Sequence, residues 1–374
     1  MKIGVDTRVL MDKQYSGVSI FTFNLLSSLL KLDKLNTYSF FYNSFKKVEK
    51  NDLFNKNAVQ TFYPNKIFNY LMQKTLSWPK IDNLLGSPDV FYMPHINFAS
   101  LSNKTKKVIT VHDLSFLRYP EFFSRRKNFW HKALNIKKNL KKFDRIVAVS
   151  QNTKNDLVEL MKIEEDKISV VYPGISDDLS NDTLNESVDY LFQKYGIDRD
   201  YVLYLGTIEP RKNISGLMRA YNHLRDSGID VLLVLVGSWG WKTDDIRKEW
   251  GKSKYKQDIK FIGYLIEEEK SIFYKNAKLF VYPSFYEGFG FPPLEAMHFG
   301  VPVISSNSSS LPEVLSNAAL LVNSDKELEL ADAMMISLTD KLLRNKLIER
   351  GRERVKIFSW QNTAEEYLKI FNNL

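Results

Sequence analysis

The chain alternates short apolar runs with longer stretches in which apolar residues recur at helical spacing. In the first half the runs are Ile3 to Asp6, Tyr38 to Tyr42, Asp89 to Met93, Lys107 to His112 and Arg145 to Val149. Between the first two, Ile20, Phe21, Leu25, Leu29 and Leu32 share one face, which predicts a helix over Ile20 to Leu32. Another is expected from about Thr153, where Thr153 and Asp156 have capping-box spacing. Tyr172-Pro173-Gly174 then interrupts the pattern, and the polar stretch Ser176 to Glu186, with a solvated Asp177-Asp178 pair, reads as a domain boundary. The second half resumes with strands expected at Tyr201–Leu205, Val231–Val236, Lys260–Ile262, Leu279–Tyr282, Val301–Ser305 and Ala319–Val322. Helices are expected at Ile214–Arg225, Glu267–Lys275, Pro292–His298, Glu327–Leu338 and finally Trp360–Leu374. Strand–helix alternation of this kind gives parallel sheets with right-handed crossovers. The fold class is therefore α/β, with two doubly wound domains at 1–172 and 173–359.

Composition narrows the class. A chain of 374 residues with 44% hydrophobic and 26% charged residues can bury a sizeable core in two or three globular domains. It has no cysteine, which excludes disulfides, thiolate nucleophiles and cysteine metal sites. The N-terminal M-K-I-G-V-D-T-R lacks a signal-peptide apolar core, and no later run approaches bilayer length, so a cytoplasmic location is expected. The net charge of +9 is unevenly spread. Residues 1–172 hold 28 of the 53 Lys/Arg and 15 of the 44 Asp/Glu, a balance of +13, and the other 25 and 29 leave −4. That asymmetry points the first half at an anionic partner.

In open α/β sheets, ligands sit outside the carboxyl ends of strands. The residues there are Gly17, His95, His112-Asp113, Gly206 to Lys212, Gly237, Gly263 and Glu287. They come from both halves, which makes a cleft between two domains the expected site. The stretch S-F-Y-E-G-F-G-F-P-P-L-E-A-M, Ser284 to Met297, reads as strand, glycine turn and helix N-terminus, with Glu287 before the helix and Glu295 inside it. Such a turn favours an anion, and two carboxylates beside it suit hydroxyls, so a sugar nucleotide fits; a plain strand–helix turn with solvated glutamates fits equally. In G-T-I-E-P-R-K-N, Arg211 and Lys212 sit before a helix, placed to neutralise a diphosphate or simply solvated. His112 closes its strand and suits a substrate hydroxyl, proton transfer or a structural bond to backbone. Five histidines without H-x-x-x-H spacing give no metal-ligand cluster. Fingerprints of nicotinamide dehydrogenases, P-loop NTPases and nucleophile-elbow hydrolases are absent.

Glu287 and Glu295 form an E-x7-E spacing. With G-T-I-E-P-R-K-N, V-G-S-W-G-W, S-S-L-P-E-V and V-H-D-L-S-F-L-R-Y-P-E, the chain resembles the retaining GT-B glycosyltransferases of family 4, the group 1 transferases that include lipopolysaccharide mannosyltransferases. The ordered set spans nearly the whole chain. The resemblance implies two Rossmann-like domains facing across a cleft, the N-terminal one binding acceptor and reclaiming the C-terminal helix 360–374. It implies a nucleotide-sugar donor on the C-terminal domain, with Arg211 and Lys212 on the diphosphate, Glu287 on the donor sugar beside Phe289, Gly290 and Phe291, and Glu295 on the ribose. It places His112 at the catalytic centre and Gly17 near the phosphates, and counts Gly206, Thr207, Gly237 and Ile262 among the donor-binding residues. No metal or other cofactor is implied. Two departures stand out: the first loop reads S-G-V-S-I-F without the family's arginine, and Thr207 replaces an arginine frequent near Gly206.

The implied activity is transfer of a hexose, GDP-mannose being the first choice of donor and a UDP-hexose the second, to a glycan or lipid-linked acceptor in cell-surface polysaccharide synthesis. Ser124 to Phe143 carries eight Lys/Arg interleaved with Phe129, Trp130, Leu134, Ile136 and Leu140. It reads either as a basic amphipathic helix on an anionic membrane, at the inner face of the plasma membrane, or as a core-facing stripe with a solvated basic face. Competing readings are another GT-B enzyme, a phosphorylase or nucleotide-sugar epimerase, and a basic nucleic-acid-binding protein. The last lacks a reading motif, and no nucleic-acid partner is expected.

Overall fold

A computed structural model describes residues 1–11, 16–45, 52–55, 57–65, 68–69, 72, 78–175 and 185–374. Most of the polar stretch after Ile175, including Asp177 and Asp178, lies outside the described residues. The chain divides into two compact units. Unit 1 comprises Met1–Leu114, Arg126–Gly174 and Phe358–Leu374; unit 2 comprises Ser115–Arg125 and Ile175–Ile357.

The strands of unit 1 are β1 (Lys2–Asp6), β2 (Thr37–Asn43), β3 (Ala58–Thr61), β4 (Val90–Met93), β5 (Lys106–Val111), β6 (Arg145–Ala148) and β7 (Ile168–Val170). Those of unit 2 are β8 (Tyr201–Leu205), β9 (Leu232–Val236), β10 (Ile259–Gly263), β11 (Leu279–Tyr282), β12 (Val303–Ser306) and β13 (Leu320–Val322). The longer helices begin with α1 (Gly17–Leu32), α2 (Arg125–Ala133), α3 (Ile136–Leu140), α4 (Gln151–Met161) and α5 (Asn185–Tyr195). They continue with α6 (Ile214–Asp226), α7 (Asp244–Lys252), α8 (Glu267–Lys275), α9 (Phe291–His298), α10 (Glu327–Thr339), α11 (Lys341–Val355) and α12 (Trp360–Asn372).

Both sheets are wholly parallel. The seven-stranded sheet of unit 1 runs β3-β2-β1-β4-β5-β6-β7, and the six-stranded sheet of unit 2 runs β10-β9-β8-β11-β12-β13. Each is the Rossmann order, outward from its first strand and then back past it, so each has a switch point: β1/β4 in unit 1, β8/β11 in unit 2. The central strands β4, β8, β9 and β11 are buried end to end, as parallel strands covered on both faces must be.

The structure corrects several boundaries. Ser115–Arg125 packs with unit 2, although its position in the chain assigns it to the first domain. Tyr119 meets Tyr286 at 5.9 Å, Phe122 stacks on Phe285 at 5.5 Å, and Trp241 Nε1 donates to the Phe122 carbonyl at 2.7 Å. The first helix starts at Gly17, because the Ser16 hydroxyl caps it by accepting from the Ser19 amide. Likewise α4 starts at Gln151, capped by Ser150 rather than Thr153. The basic amphipathic segment is not one helix. Asn135 takes the left-handed conformation (φ 43°), a geometry asparagine tolerates, and the break lets Leu134 and Ile136 both bury.

In unit 1, α12 packs along α1, with Trp360 and Tyr367 edge-on to Phe21 and Tyr367 edge-on to Tyr92. The Tyr367 hydroxyl joins Thr110 Oγ1 on β5 at 2.6 Å, and Thr110 joins the Tyr92 hydroxyl on β4 at 2.8 Å. This buried chain tells the sheet where the last helix sits. Tyr367→Ala should cost about 3–5 kcal/mol through cavity and lost packing, and Tyr367→Phe only about 0.5–1.5 kcal/mol through one lost hydrogen bond, since Thr110 keeps Tyr92 as a partner. Urea unfolding of both variants separates the two terms; equal losses would contradict the assignment.

Candidate functional site

The unit 2 site is built at its switch point. At the end of β8 the Gly206 amide bonds the Val236 carbonyl, and a Cβ on Gly237 would lie 2.0 Å from the Gly206 oxygen. Glycine there lets the ends of β8 and β9 touch backbone to backbone. The chain then turns through Pro210–Lys212, and Asn213, left-handed at φ 55°, caps α6 through the Gly216 amide. That turn aims Arg211 and Lys212 at the β11–α9 connection, to which it is tied by the Phe285 amide on the Arg211 carbonyl at 2.9 Å.

Glu287 lies between the two cations. Lys212 Nζ reaches its Oε1 at 2.5 Å and Arg211 Nη1 its Oε2 at 3.0 Å. Arg211 also grips Glu209 Oε1 through Nε at 3.1 Å and Nη2 at 2.8 Å, and Lys212 Nζ donates to the Tyr282 hydroxyl at 2.7 Å. Burial opposes the charge on Glu287, but the Arg211 and Lys212 charges outweigh it and hold its pKa at about 2. Burial and the neighbouring Arg211 lower the pKa of Lys212. Two cations and two carboxylates thus balance, and Lys212 keeps one of its three ammonium protons for another acceptor.

Serines that sequence reasoning passed over hold this turn. The Glu287 amide donates to Ser309 Oγ at 2.8 Å, and Ser310 Oγ donates to the carbonyls of Glu287 and Phe289 at 3.0 and 2.9 Å. Ser306 and Ser308 hydroxyls both reach the Ser284 carbonyl. Five serines in the six residues Ser305–Ser310 are the signal that could have revealed them.

Gly290, at φ 106°, precedes α9, which starts at Phe291. Pro292 and Pro293 have no N–H, so only Phe291 among the first three helical residues has a donor, and the anion-binding capacity of this terminus is smaller than its position suggests. Glu295 stands apart from the ion cluster. It accepts from the Tyr274 hydroxyl at 2.8 Å, and burial, with Glu267, raises its pKa against Lys270 and Tyr274. Two glutamates eight residues apart are thus pushed in opposite directions. Thr207 is exposed after β8, Ile262 is half-buried in β10, and Phe289 is buried edge-on to Phe291 at 5.2 Å.

Unit 1 holds the other expected residues, and its own switch point carries a cluster the sequence reading omitted. Asp6 closes β1 and takes a bidentate pair from Arg8, at 2.8 and 2.6 Å, while Arg8 Nη2 also reaches the Phe98 carbonyl at 2.7 Å. Burial opposes ionisation of Asp6, but Arg8 lowers its pKa. His95, after β4, has a buried Nδ1 with no partner among the described residues, and burial lowers its pKa to about 4. His112 Nε2 bonds the Pro94 carbonyl at 2.8 Å, and its ring lies edge-on to Phe21 of α1 at 4.7 Å. Burial keeps its pKa below the ordinary value, so it is neutral at pH 7 with Nδ1 as acceptor. Gly17 opens α1, and a Cβ there would meet open space. Strand-end position was the available signal for Asp6 and Arg8.

Among the described residues, no group of three His, Asp or Glu is placed to hold a metal ion. The D-x-D spacing Asp198-Arg199-Asp200 precedes β8 and is spent on surface ion pairs, Arg199 with Asp198 and Asp258 and Asp200 with Lys278.

Residues 188–354 match the family described as "Glycosyl transferases group 1", and residues 15–179 match "Glycosyltransferase Family 4". An O-antigen chain mannosyltransferase B of Escherichia coli is 34% identical over 287 residues, covering 76% of this chain and 73% of that protein. A serotype-specific mannosyltransferase WbdA of the same species is 29% identical over 276 residues, covering 72% of this chain and 34% of its own length. The sucrose-phosphate synthase structure from Thermosynechococcus elongatus superposes with a TM-score of 0.77 at 19% identity, covering 100% of this chain and 98% of that one, a likeness of fold.

The ion cluster predicts a pH response. A carboxylate whose folded pKa is lowered stabilises the protein fully above its ordinary pKa of 4.5 and loses that contribution as pH falls towards about 2. Glu287→Gln should therefore melt well below the parent at neutral pH, and the gap should narrow between about pH 5 and pH 2. A gap that stays constant through this range in thermal melts would contradict the charge assignment.

Proposed function

Because the chain belongs to the group 1 glycosyltransferases of family 4, we propose that it transfers a hexose, mannose in the first instance, from a nucleoside-diphosphate sugar to a glycan or lipid-linked acceptor during cell-surface polysaccharide synthesis. The observation that carries the reading is Glu287, ionised between Arg211 and Lys212 at the β8/β11 switch point. A carboxylate fixed in this way is an acceptor for the hydroxyls of a sugar, and the cations flanking it face the charge of a departing diphosphate. Glu295, with its raised pKa and its tyrosine partner, is suited to ribose hydroxyls rather than to phosphate. The mannosyltransferase names of the relatives, including the Salmonella typhimurium O-antigen chain mannosyltransferase RfbU at 30% identity, favour mannose, with GDP-mannose as the first choice of donor and a UDP-hexose as the second.

The proposed chemistry retains anomeric configuration. The bond from the anomeric carbon to the diphosphate oxygen breaks while the acceptor oxygen bonds the same carbon on the same face. The acceptor hydroxyl proton passes to a diphosphate oxygen, so no carboxylate nucleophile is needed. Neutral His112, with Nε2 held by Pro94, offers Nδ1 to a sugar hydroxyl. No metal or other cofactor is invoked, since Arg211 and Lys212 supply the positive charge.

Proposed attachment to the inner face of the plasma membrane rests on the basic segment around α2 and α3. Among the described residues no helix is long and apolar enough to cross a bilayer. Phe129 is 73% exposed and Trp130 40%, as interfacial anchors would be. Co-sedimentation with anionic but not neutral vesicles at low salt is expected, and equal partition into both would refute the attachment.

A donor panel scored for hydrolysis and transfer, followed by NMR of the product, tests the activity. Lys212→Ala and Glu287→Ala should each lower transfer by about 100-fold or more while the circular dichroism stays that of the parent. Near-normal turnover in both would refute the site. Stabilisation by GDP or UDP but not by oligonucleotides is expected in thermal melts.

A further inference from the structure

The neighbouring strands β8 and β11 carry three buried tyrosines, Tyr201 and Tyr204 on the first and Tyr282 on the second. Those on β8 spend their hydroxyls on backbone. Tyr201 donates to the Phe273 carbonyl at 2.7 Å and Tyr204 to the Thr207 carbonyl at 3.3 Å. Tyr282 does something different. Its hydroxyl accepts from Lys212 Nζ at 2.7 Å, and the ammonium lies 5.0 Å from the centre of its ring.

The Tyr282 phenol is held in place. Its ring stacks with those of Tyr204 at 5.8 Å and Phe280 at 6.0 Å, and its carbonyl accepts from Ser305 Oγ at 3.0 Å. Burial and the Glu287 charge raise its pKa well above the ordinary value, so it stays neutral and offers Lys212 an uncharged oxygen. Lys212 faces Arg211 and Glu209 from its own turn, Glu287 from the turn after β11 and Tyr282 from β11 itself. Burial and Arg211 work against its charge, while Glu287 and Glu209 support it. An ammonium carries three N–H donors at fixed angles to one another. One contact leaves it free to turn. Two contacts, Glu287 Oε1 at 2.5 Å and the Tyr282 hydroxyl, fix its rotation and with it the direction of the third donor.

We propose that Tyr282 is a positioning residue for glycosyl transfer: its hydroxyl, together with Glu287, holds two N–H bonds of Lys212 so that the third is presented to the departing diphosphate. The proposal rests on the glycosyl-transfer reading given above. Tyr282 is 1% exposed and acts through Lys212 rather than on the substrates. Its effect falls on the transition state, where the leaving oxygens gain charge, more than on the bound donor.

Tyr282→Phe tests this, with Tyr201→Phe as its match. Each removes one buried hydroxyl from the same sheet, and Tyr201 stands at the amino end of β8, away from the ion cluster. With the donor that the parent chain turns over, Tyr282→Phe should lower kcat at least about tenfold and change donor KM less than about threefold. The basic limb of its kcat profile should move to lower pH, because Lys212 loses an acceptor that favours the charged form. Tyr201→Phe should keep kcat within about twofold of the parent and leave the limb in place. Thermal melts establish that both variants are folded. Carbon NMR of the ligand-free chain labelled at lysine Cε, with Lys212 identified through Lys212→Arg, reads the same shift without turnover. Lys212 should titrate at lower pH in Tyr282→Phe than in the parent. A parent-like kcat, an unmoved basic limb, an unmoved Lys212 titration or an equal loss in Tyr201→Phe would each overturn the proposal. If the parent turns over no donor, the glycosyl-transfer reading fails, and the NMR titration still decides whether Tyr282 holds the Lys212 proton.

Discussion

A carboxylate is buried in the turn after β11 only because two cations, Lys212 buried and Arg211 half-buried, stand against it. Desolvating an ion costs several kcal/mol, and removing either partner would leave Glu287 or a cation uncompensated. The geometry of the unit 2 site follows from that constraint. Arg211 and Lys212 belong to the turn after β8, Glu287 to the turn after β11, and the ion pairs lock the two turns across the switch point of the sheet. The serine loop after β12 fixes the backbone of the same turn, so its side chain and main chain are each held from a different strand. A site organised in this way needs little rearrangement to present one ionised acceptor beside positive charge.

The same arrangement separates two glutamates that the sequence presents as a pair. Glu287 is strongly acidic, held by cations, whereas Glu295 is pushed the other way by burial and by Glu267. Glu295 stands apart from the ion cluster that holds Glu287, and each keeps its own hydrogen-bonding partners.

The alternation of strands and helices, the glycine ends of β8 and β9 and the proline start of α9 were legible because each is a local signal. So was the proximity of Arg211, Lys212 and Glu287, since strand ends converge at a switch point whatever the strands contain. Tertiary decisions were less legible. β3 and β7 are short edge strands in which only Ile168 is buried, and α11 is so rich in charge that its apolar stripe is thin. Asp6 and Arg8 sit two residues apart on a strand end, and nothing local says that they pair inward rather than face water. The kink at Asn135 is decided by the burial of Leu134 and Ile136 on either side of it, which overrides the helical spacing of the whole segment.

The route of the chain has a consequence for how the protein is made. The chain passes between units after Leu114, Arg125, Gly174 and Ile357. A ribosome has therefore delivered all seven strands of unit 1 by Val170, yet Trp360, Tyr367 and Phe371, which cover Phe21 and Tyr92, come last. Unit 2 waits for nothing after Ile357, because its borrowed segment was already synthesised. The half that is translated first is the last to complete its core, and until then an apolar stretch of α1 must be kept from other partners.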